Sequence, residues 1–293
     1  MRKGIKGLII AAASAVVIGC LGFGGSLYLK SLSPRKVISN EGVKIYVEGL
    51  SFYKGKDKIV GKVYKPQDTT GRKPVVIWCP GLGETAASGD QICRMIAGKG
   101  YIAYAFDFRG GSPSSQSTGS IHEMSLSSEK KDIETVVDNL RDKKFVRKDE
   151  IYLMGHGQAG LVAALAAPGA KGVNGLILLA PSFNIPDVCE EAFPKNRQIK
   201  DTTLFGGNML LGKEFITDAK GTKPYKGLSK FKGEVLLVHG TSDEAVPYSY
   251  SVKAAAEFPK GDLRLIDGMG HSLNGKDGSK AMSLVEEYLE SHI

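Results

Sequence analysis

A chain of 293 residues, 42% of them hydrophobic, is long enough to bury a sizeable core, and one α/β domain of roughly 250 residues accounts for most of it. The formal net charge of +8 comes from lysines spread along the chain, with no Lys/Arg block and no interleaved aromatics; this reads as a solvated basic surface rather than a nucleic-acid footprint. The four cysteines have neither the C-x-x-C nor the Cys/His spacing of a disulfide framework or a zinc site, so Cys79, Cys93 and Cys189 are expected as small buried hydrophobes.

Residues 1–32 begin with Arg2, Lys3 and Lys6 and then carry no charge from Gly7 to Leu29, which exceeds the ~20 residues a helix needs to cross a bilayer. The basic flank favours a cytoplasmic N-terminus with the domain outside, although Lys30, Arg35 and Lys36 on the far side weaken that orientation. Three fates fit the segment: a retained anchor, a lipoprotein signal with Val17-Ile18-Gly19-Cys20 as its lipobox, or a cleaved secretion signal. The anchor is preferred, because the apolar run continues past Cys20 to Leu29, further than a signal peptide requires. Residues 33–43 are polar and read as a linker, with the folded domain at 44–293.

Two strands are predicted at about 44–53 and 58–65, joined by a Lys-Gly-Lys-Asp turn; Val43, Ile45 and Val47 alternate as a half-buried strand should. The continuous apolar run from Pro74 to Pro80 reads as a strand covered on both faces. A helix follows over 85–99, then a strand over 101–107, a polar loop over 109–126, and a helix over 127–142 with an apolar stripe of Ile133, Val136, Val137 and Leu140. At 149–161 an apolar strand passes through a glycine-dense turn into an Ala-rich helix, and a further strand occupies 175–180. Residues 181–232, rich in Pro, Lys and Gly, break the alternation and are read as a cap. Strand, helix, strand and helix at 234–239, 248–257, 261–267 and 276–292 close the chain. Such an alternation behind an antiparallel opening predicts a mostly parallel, doubly covered sheet.

In such sheets ligands bind outside the carboxyl ends of the strands. The segments there are Cys-Pro-Gly-Leu-Gly-Glu (79–84), Asp-Phe-Arg-Gly-Gly-Ser (107–112), Gly-His-Gly-Gln-Ala-Gly (155–160), Ala-Pro-Ser-Phe (180–183), His-Gly-Thr-Ser-Asp-Glu-Ala-Val-Pro (239–247) and Asp-Gly-Met-Gly-His-Ser (267–272). Together they resemble the α/β-hydrolase superfamily over 44–293, and within it the bacterial cinnamoyl (feruloyl) esterases and serine-aminopeptidase-like hydrolases, whose elbow reads G-H-S-Q-G-G. The resemblance implies an α/β-hydrolase fold with a mostly parallel sheet of about eight strands and helices on both faces. It also implies an acid at Asp243 (H-G-x-x-D), a histidine at His271 (G-x-x-H), oxyanion donors from the backbone N–H groups of Leu82 and Gln158, and no metal or organic cofactor. His156 and His239 read as structural.

The nucleophile position of that pattern holds Gly157, so an acyl-enzyme cannot form there. The resemblance therefore implies a carboxylic ester (acyl) hydrolase whose activity is absent, low or water-mediated. The alternative is a non-catalytic protein that binds a small acyl or aromatic ligand at the cell surface. Ser182 and Cys79 are the neighbouring hydroxyl and thiol to weigh as substitutes, and a water with His271 as general base is a third route. In the cap, Phe183, Phe193, Phe205, Met209, Leu210, Leu211, Phe215 and Tyr225 supply an apolar lining for the ligand pocket, with the alternative that half or more of them pack the cap onto the sheet. The partners expected are a small acyl or aromatic ester and the membrane, through the N-terminal segment, and no nucleic acid.

Overall fold

The computed structural model describes residues 36–40, 42–68, 70–205 and 209–292. The expected membrane segment at 1–32, with Cys20, lies outside them; among the described residues no helix is long and apolar enough to cross a membrane.

The described chain begins with an antiparallel hairpin of β1 (Lys36–Asn40) and β2 (Val43–Gly49), turning at Gly42 with φ of 84°. The second half of the expected linker is therefore strand, and the folded unit starts before Lys44. Val37 and Ile38 carry β-branched character, and Gly42 supplies the positive φ of a tight hairpin. The strand expected over 44–53 stops at Gly49. Beyond it β3 (Phe52–Lys54) and β4 (Asp57–Ile59) form a separate small hairpin, and β5 (Gly61–Pro66) pairs with β2.

From there the chain alternates. In order come β6 (Lys73–Cys79), a 3-10 turn (Ala86–Gly89) leading into α1 (Asp90–Gly98), β7 (Ile102–Phe106), α2 (Leu126–Arg141), β8 (Val146–His156), α3 (Gln158–Ala166) and β9 (Val173–Leu179). The cap contributes α4 (Ile185–Ala192), a hairpin of β10 (Thr202–Phe205) and β11 (Met209–Gly212), and α5 (Lys213–Gly221). The chain closes with β12 (Glu234–Gly240), α6 (Ser249–Glu257), β13 (Gly261–Ile266) and α7 (Gly275–Glu290).

The main sheet runs β1-β2-β5-β7-β6-β8-β9-β12-β13, the expected eight strands plus β1 at one edge. Pairing is antiparallel from β1 to β7 and parallel from β7 to β13. Alternate residues of the central strands face opposite cores. Val75, Ile77, Leu153, Leu176 and Leu178 join α2, α3 and α6 in one; Val76, Trp78, Tyr152, Met154 and Ile177 join α1 and α7 in the other. Both faces are thus apolar, which is why these strands read as continuous hydrophobic runs. Strand order reverses between β6 and β8, because α1 and α2 lie on opposite faces. Such a switch point opens a crevice at the strands' carboxyl ends, where the loop after β6 and the turn after β8 meet.

The cap is more ordered than its composition suggests, and much of its apolar content packs inward. Phe183, Leu211 and Phe215 are fully buried, Phe183 stacks on Tyr225 with centroids 5.3 Å apart, and Phe205 meets Phe215 edge-on at 5.2 Å. Leu210 points to solvent. These residues hold the cap to the sheet rather than jointly lining a ligand pocket. Met209 is the one brought to the loop after β6: its Cε occupies the space a Cβ on Gly83 would need.

Candidate active site

β8 ends at His156 and α3 begins at Gln158, so the whole reversal falls on Gly157, with φ of 57° and ψ of −122°. A side chain at positive φ is strained, and glycine adopts it at little cost. The turn is closed by backbone bonds: Gly157 N–H donates to Leu179 O (3.0 Å), and Gly157 O accepts from Gly160 (3.1 Å) and Ser182 (2.9 Å). A Cβ built at Gly157 lies 3.3 Å from His271 Nε2 and 3.6 Å from Ser182 Oγ. The histidine therefore faces the position from which a nucleophile would project.

His271 reaches it because the loops after β12 and β13 are laced together. Thr241 N–H donates to Ile266 O and Ser242 N–H to Met269 O, both at 3.0 Å. His271 Nδ1 donates to Asp243 Oδ2 (2.8 Å). The Asp243 carboxyl is fully buried, while 31% of the His271 side chain is open. Four N–H donors converge on Asp243: Ala245 (2.9 Å) and Val246 (2.8 Å) on Oδ1, and His271 and His239 (3.1 Å) on Oδ2. An acid held this way fixes the imidazole's tautomer, leaving Nε2 free to take a proton.

Sequence reading treats His239 as structural, and it does close β12; the structure adds that it grips the acid. Its Nε2 faces two acceptors, Asp243 Oδ2 and Val246 O (2.9 Å), so it carries the proton, and Nδ1 accepts from Ser251 Oγ (2.7 Å). Burial lowers its pKa, consistent with this neutral form. The signal available in the sequence was the i,i+4 spacing of His239 and Asp243. His156 lies beside the elbow as expected. Its Nε2 bonds the backbone oxygen of His271 (2.8 Å), and burial together with the nearby His271 ring lowers its pKa.

The loop after β6 leaves the N–H of Leu82 free. Gly81 N–H donates to Glu84 Oε2, Glu84 N–H to Gly81 O and Gly83 N–H to Gly111 O, each at 3.0 Å; Leu82 N–H has no such partner among the described residues. Gln158 opens α3, and a first-turn N–H has no acceptor within its helix. Its side chain is held from below: Gln158 Nε2 donates to Glu129 Oε2 on α2 (2.7 Å), while its Oε1 is buried without a partner. Desolvation pushes the buried Glu129 carboxyl up to about 8, and Asp132 beside it adds to the rise. Neither residue stands out in sequence, where Glu129 reads as one more helix charge.

Two substitutes for the nucleophile were candidates, and the structure separates them. Cys79 is fully buried in the sheet's core; desolvation and the nearby Glu129 push its thiol well above the ordinary range, so no thiolate forms. Ser182 lies at the apex.

Two family models match the chain: the serine aminopeptidase (S33) family over residues 70–204 and the TAP-like protein family over 216–292. Among solved structures, Est1E from Butyrivibrio proteoclasticus with ferulic acid bound is 23% identical with a TM-score of 0.72, covering 82% of this chain and 98% of its own. The chain is an α/β-hydrolase. Other α/β-hydrolase relatives by fold include alpha/beta hydrolase domain-containing protein 10 from mouse (19% identity, TM-score 0.67, 84% of this chain and 99% of that one). Acetyl xylan esterase 1 from Thermoanaerobacterium sp. JW/SL YS485 is 17% identical, with a TM-score of 0.62 and 86% of each chain covered. No curated protein sequence matches. The relatives of this α/β-hydrolase are thus esterase-like, and its acid and histidine motifs fall at the strand ends where the resemblance put them.

Proposed function

We propose that this α/β-hydrolase cleaves a carboxylic ester by direct attack of water, with His271 as general base, Asp243 as its orienting acid and the N–H groups of Leu82 and Gln158 as oxyanion donors. The observation that carries the reading is the approach of His271 Nε2 to 3.3 Å from the Cβ position at Gly157 while Nδ1 is held by a buried acid. In the step, the water oxygen adds to the ester carbonyl as its proton passes to Nε2. The tetrahedral oxyanion is held by the backbone donors, and the imidazolium then protonates the departing alkoxide. The acyl part is aromatic or short, in keeping with the ferulic acid bound to Est1E. The domain acts outside the cytoplasm, tethered by residues 1–32, a reading that rests on the uncharged run from Gly7 to Leu29.

Gly157 itself favours a second reading, in which the pocket retains an acyl or aromatic ligand without turning it over. Assay of the full chain on an aryl-ester panel beside His271→Ala separates the two. Turnover that disappears in the variant supports catalysis; saturable ligand binding with no turnover in either protein supports retention.

A further inference from the structure

Ser182 takes part in neither the family's triad nor its backbone donors, yet two unusual backbone features bring it to the apex. Ala180, at the end of β9, is the one non-glycine residue with positive φ (41°) among the described residues. A left-handed alanine is strained, and such strain persists where the surrounding structure imposes it. Pro181 then packs so closely on α3 that a Cβ at Gly160 would lie 2.9 Å from Pro181 Cβ. The result is the 2.9 Å bond from Ser182 N–H to Gly157 O. The Ser182 hydroxyl has no protein hydrogen bond among the described residues, although the residue is largely buried.

The distances at the Gly157 Cβ position, 3.3 Å to His271 Nε2 and 3.6 Å to Ser182 Oγ, define a spot between two polar atoms. An oxygen at that spot lies just beyond ordinary hydrogen-bond distance of both, so a water that bonds them sits closer to the two atoms than the Cβ position does. We infer that Ser182 is a positioning residue for the attacking water, which donates one hydrogen to His271 Nε2 and the other to Ser182 Oγ and so turns a lone pair toward the ester carbonyl. This rests on the proposed direct hydrolysis. Atoms balance without Ser182 changing covalently: the water oxygen bonds the acyl carbon, one proton passes to Nε2 and then to the leaving alkoxide, and the other stays on the product acid. A second anchor removes a rotational freedom that a single bond to His271 leaves, and orientation of this kind is a recognised source of rate.

The test uses the full chain, Ser182→Ala and Ser182→Thr, each with Gly157 and with Gly157→Ser. In the Gly157 proteins Ser182→Ala is expected to lower kcat at least about tenfold with little change in KM, the worth of a hydrogen bond made in the transition state. Ser182→Thr, which keeps the hydroxyl, recovers much of the loss. With Gly157→Ser the hydroxyl at 157 takes the water's place in the first step, and the effect of Ser182→Ala shrinks below about threefold. Equal losses in both backgrounds, or none, overturn the inference, as does a fluorophosphonate adduct on Ser182 by mass spectrometry, which would make it a nucleophile.

Phenylboronic acid gives a readout independent of turnover, because its hydrated tetrahedral form carries a hydroxyl to the same spot. Ser182→Ala is expected to weaken its binding about fivefold or more in the Gly157 protein. If that weakening is seen without turnover in any Gly157 protein, the hydrolysis reading fails and the anchor stands. If the boronate binds both proteins equally, the anchor fails whatever the turnover.

Discussion

Asp243 receives four N–H donors and passes that order to His271 through one 2.8 Å bond, whereas the elbow side, from Leu82 to Gln158, is shaped by backbone conformation and close packing. Gly157 needs no side chain to make its turn. Its carbonyl and N–H are bonded through the main chain, and the glycine at 155 is required because a Cβ there would lie 2.6 Å from the Ala159 carbonyl carbon. One half of the site therefore depends on particular side chains and breaks with a single substitution. The other half depends on shape and forms without any side chain at 157.

The largest expected effect comes from giving the shape-built half its side chain. Gly157→Ser should raise kcat on aryl esters by about 10² or more, a fraction of the ~10⁶ that a serine nucleophile is worth in the well-studied case. The same variant should melt a few degrees lower, since a side chain at φ of 57° costs roughly 1–2 kcal/mol. Turnover that stays flat in a folded Gly157→Ser protein would mean that the backbone donors are not aligned for the oxyanion.

Breaking the other half is next. Asp243→Asn should lower the turnover of the Gly157 protein by about 10²–10⁴, because the amide can present a donor to His271 Nδ1 and favour the wrong tautomer. Asp243→Ala should also cost about 3 kcal/mol in denaturant unfolding, since two backbone N–H groups and His239 lose a buried acceptor.

A smaller effect concerns the support beneath Gln158. Glu129 titrates near 4.5 as an ordinary carboxyl and near 8 in the folded protein. Between those values the native state holds a proton that the unfolded state has released, so stability falls as pH rises, by roughly 1.4 kcal/mol per pH unit. Asp132, raised to about 6 by burial, contributes in the same direction but only at lower pH. Glu129→Gln should therefore flatten melting temperature against pH between about 6.5 and 8, and its new amide can donate to the unpartnered Gln158 Oε1. An unchanged slope would locate the pH dependence elsewhere. Least of all, Cys79→Ala should leave turnover unaltered, and a thiol reagent should fail to label Cys79 until the protein unfolds.

The parallel core was legible because its strands are apolar on both faces and its helices carry periodic stripes. Asp243 and His271 were legible because each follows a strand end in a spaced motif, and the family resemblance supplied their order. β1 was missed because Lys36-Val37-Ile38-Ser39-Asn40 is short and flanked by polar residues, and its strand character comes from pairing with β2. The cap's apolar residues could not be divided between pocket and sheet from sequence, because in an irregular segment they read the same whichever they face. His239, Glu129 and Ala180 act through contacts from elsewhere in the fold: a histidine behind an acid, a carboxyl under a turn, and one positive φ. None leaves a mark in local composition.

The backbone at 157 has a consequence for descent. Serine codons of the AGY type and glycine codons of the GGY type differ at one base, and the turn is already formed around the smaller residue. Neither Asp243, His271 nor the fold has to be rebuilt to accept a hydroxyl at 157. A single base change at that codon would set a hydroxyl on a turn already shaped for it, facing His271 Nε2.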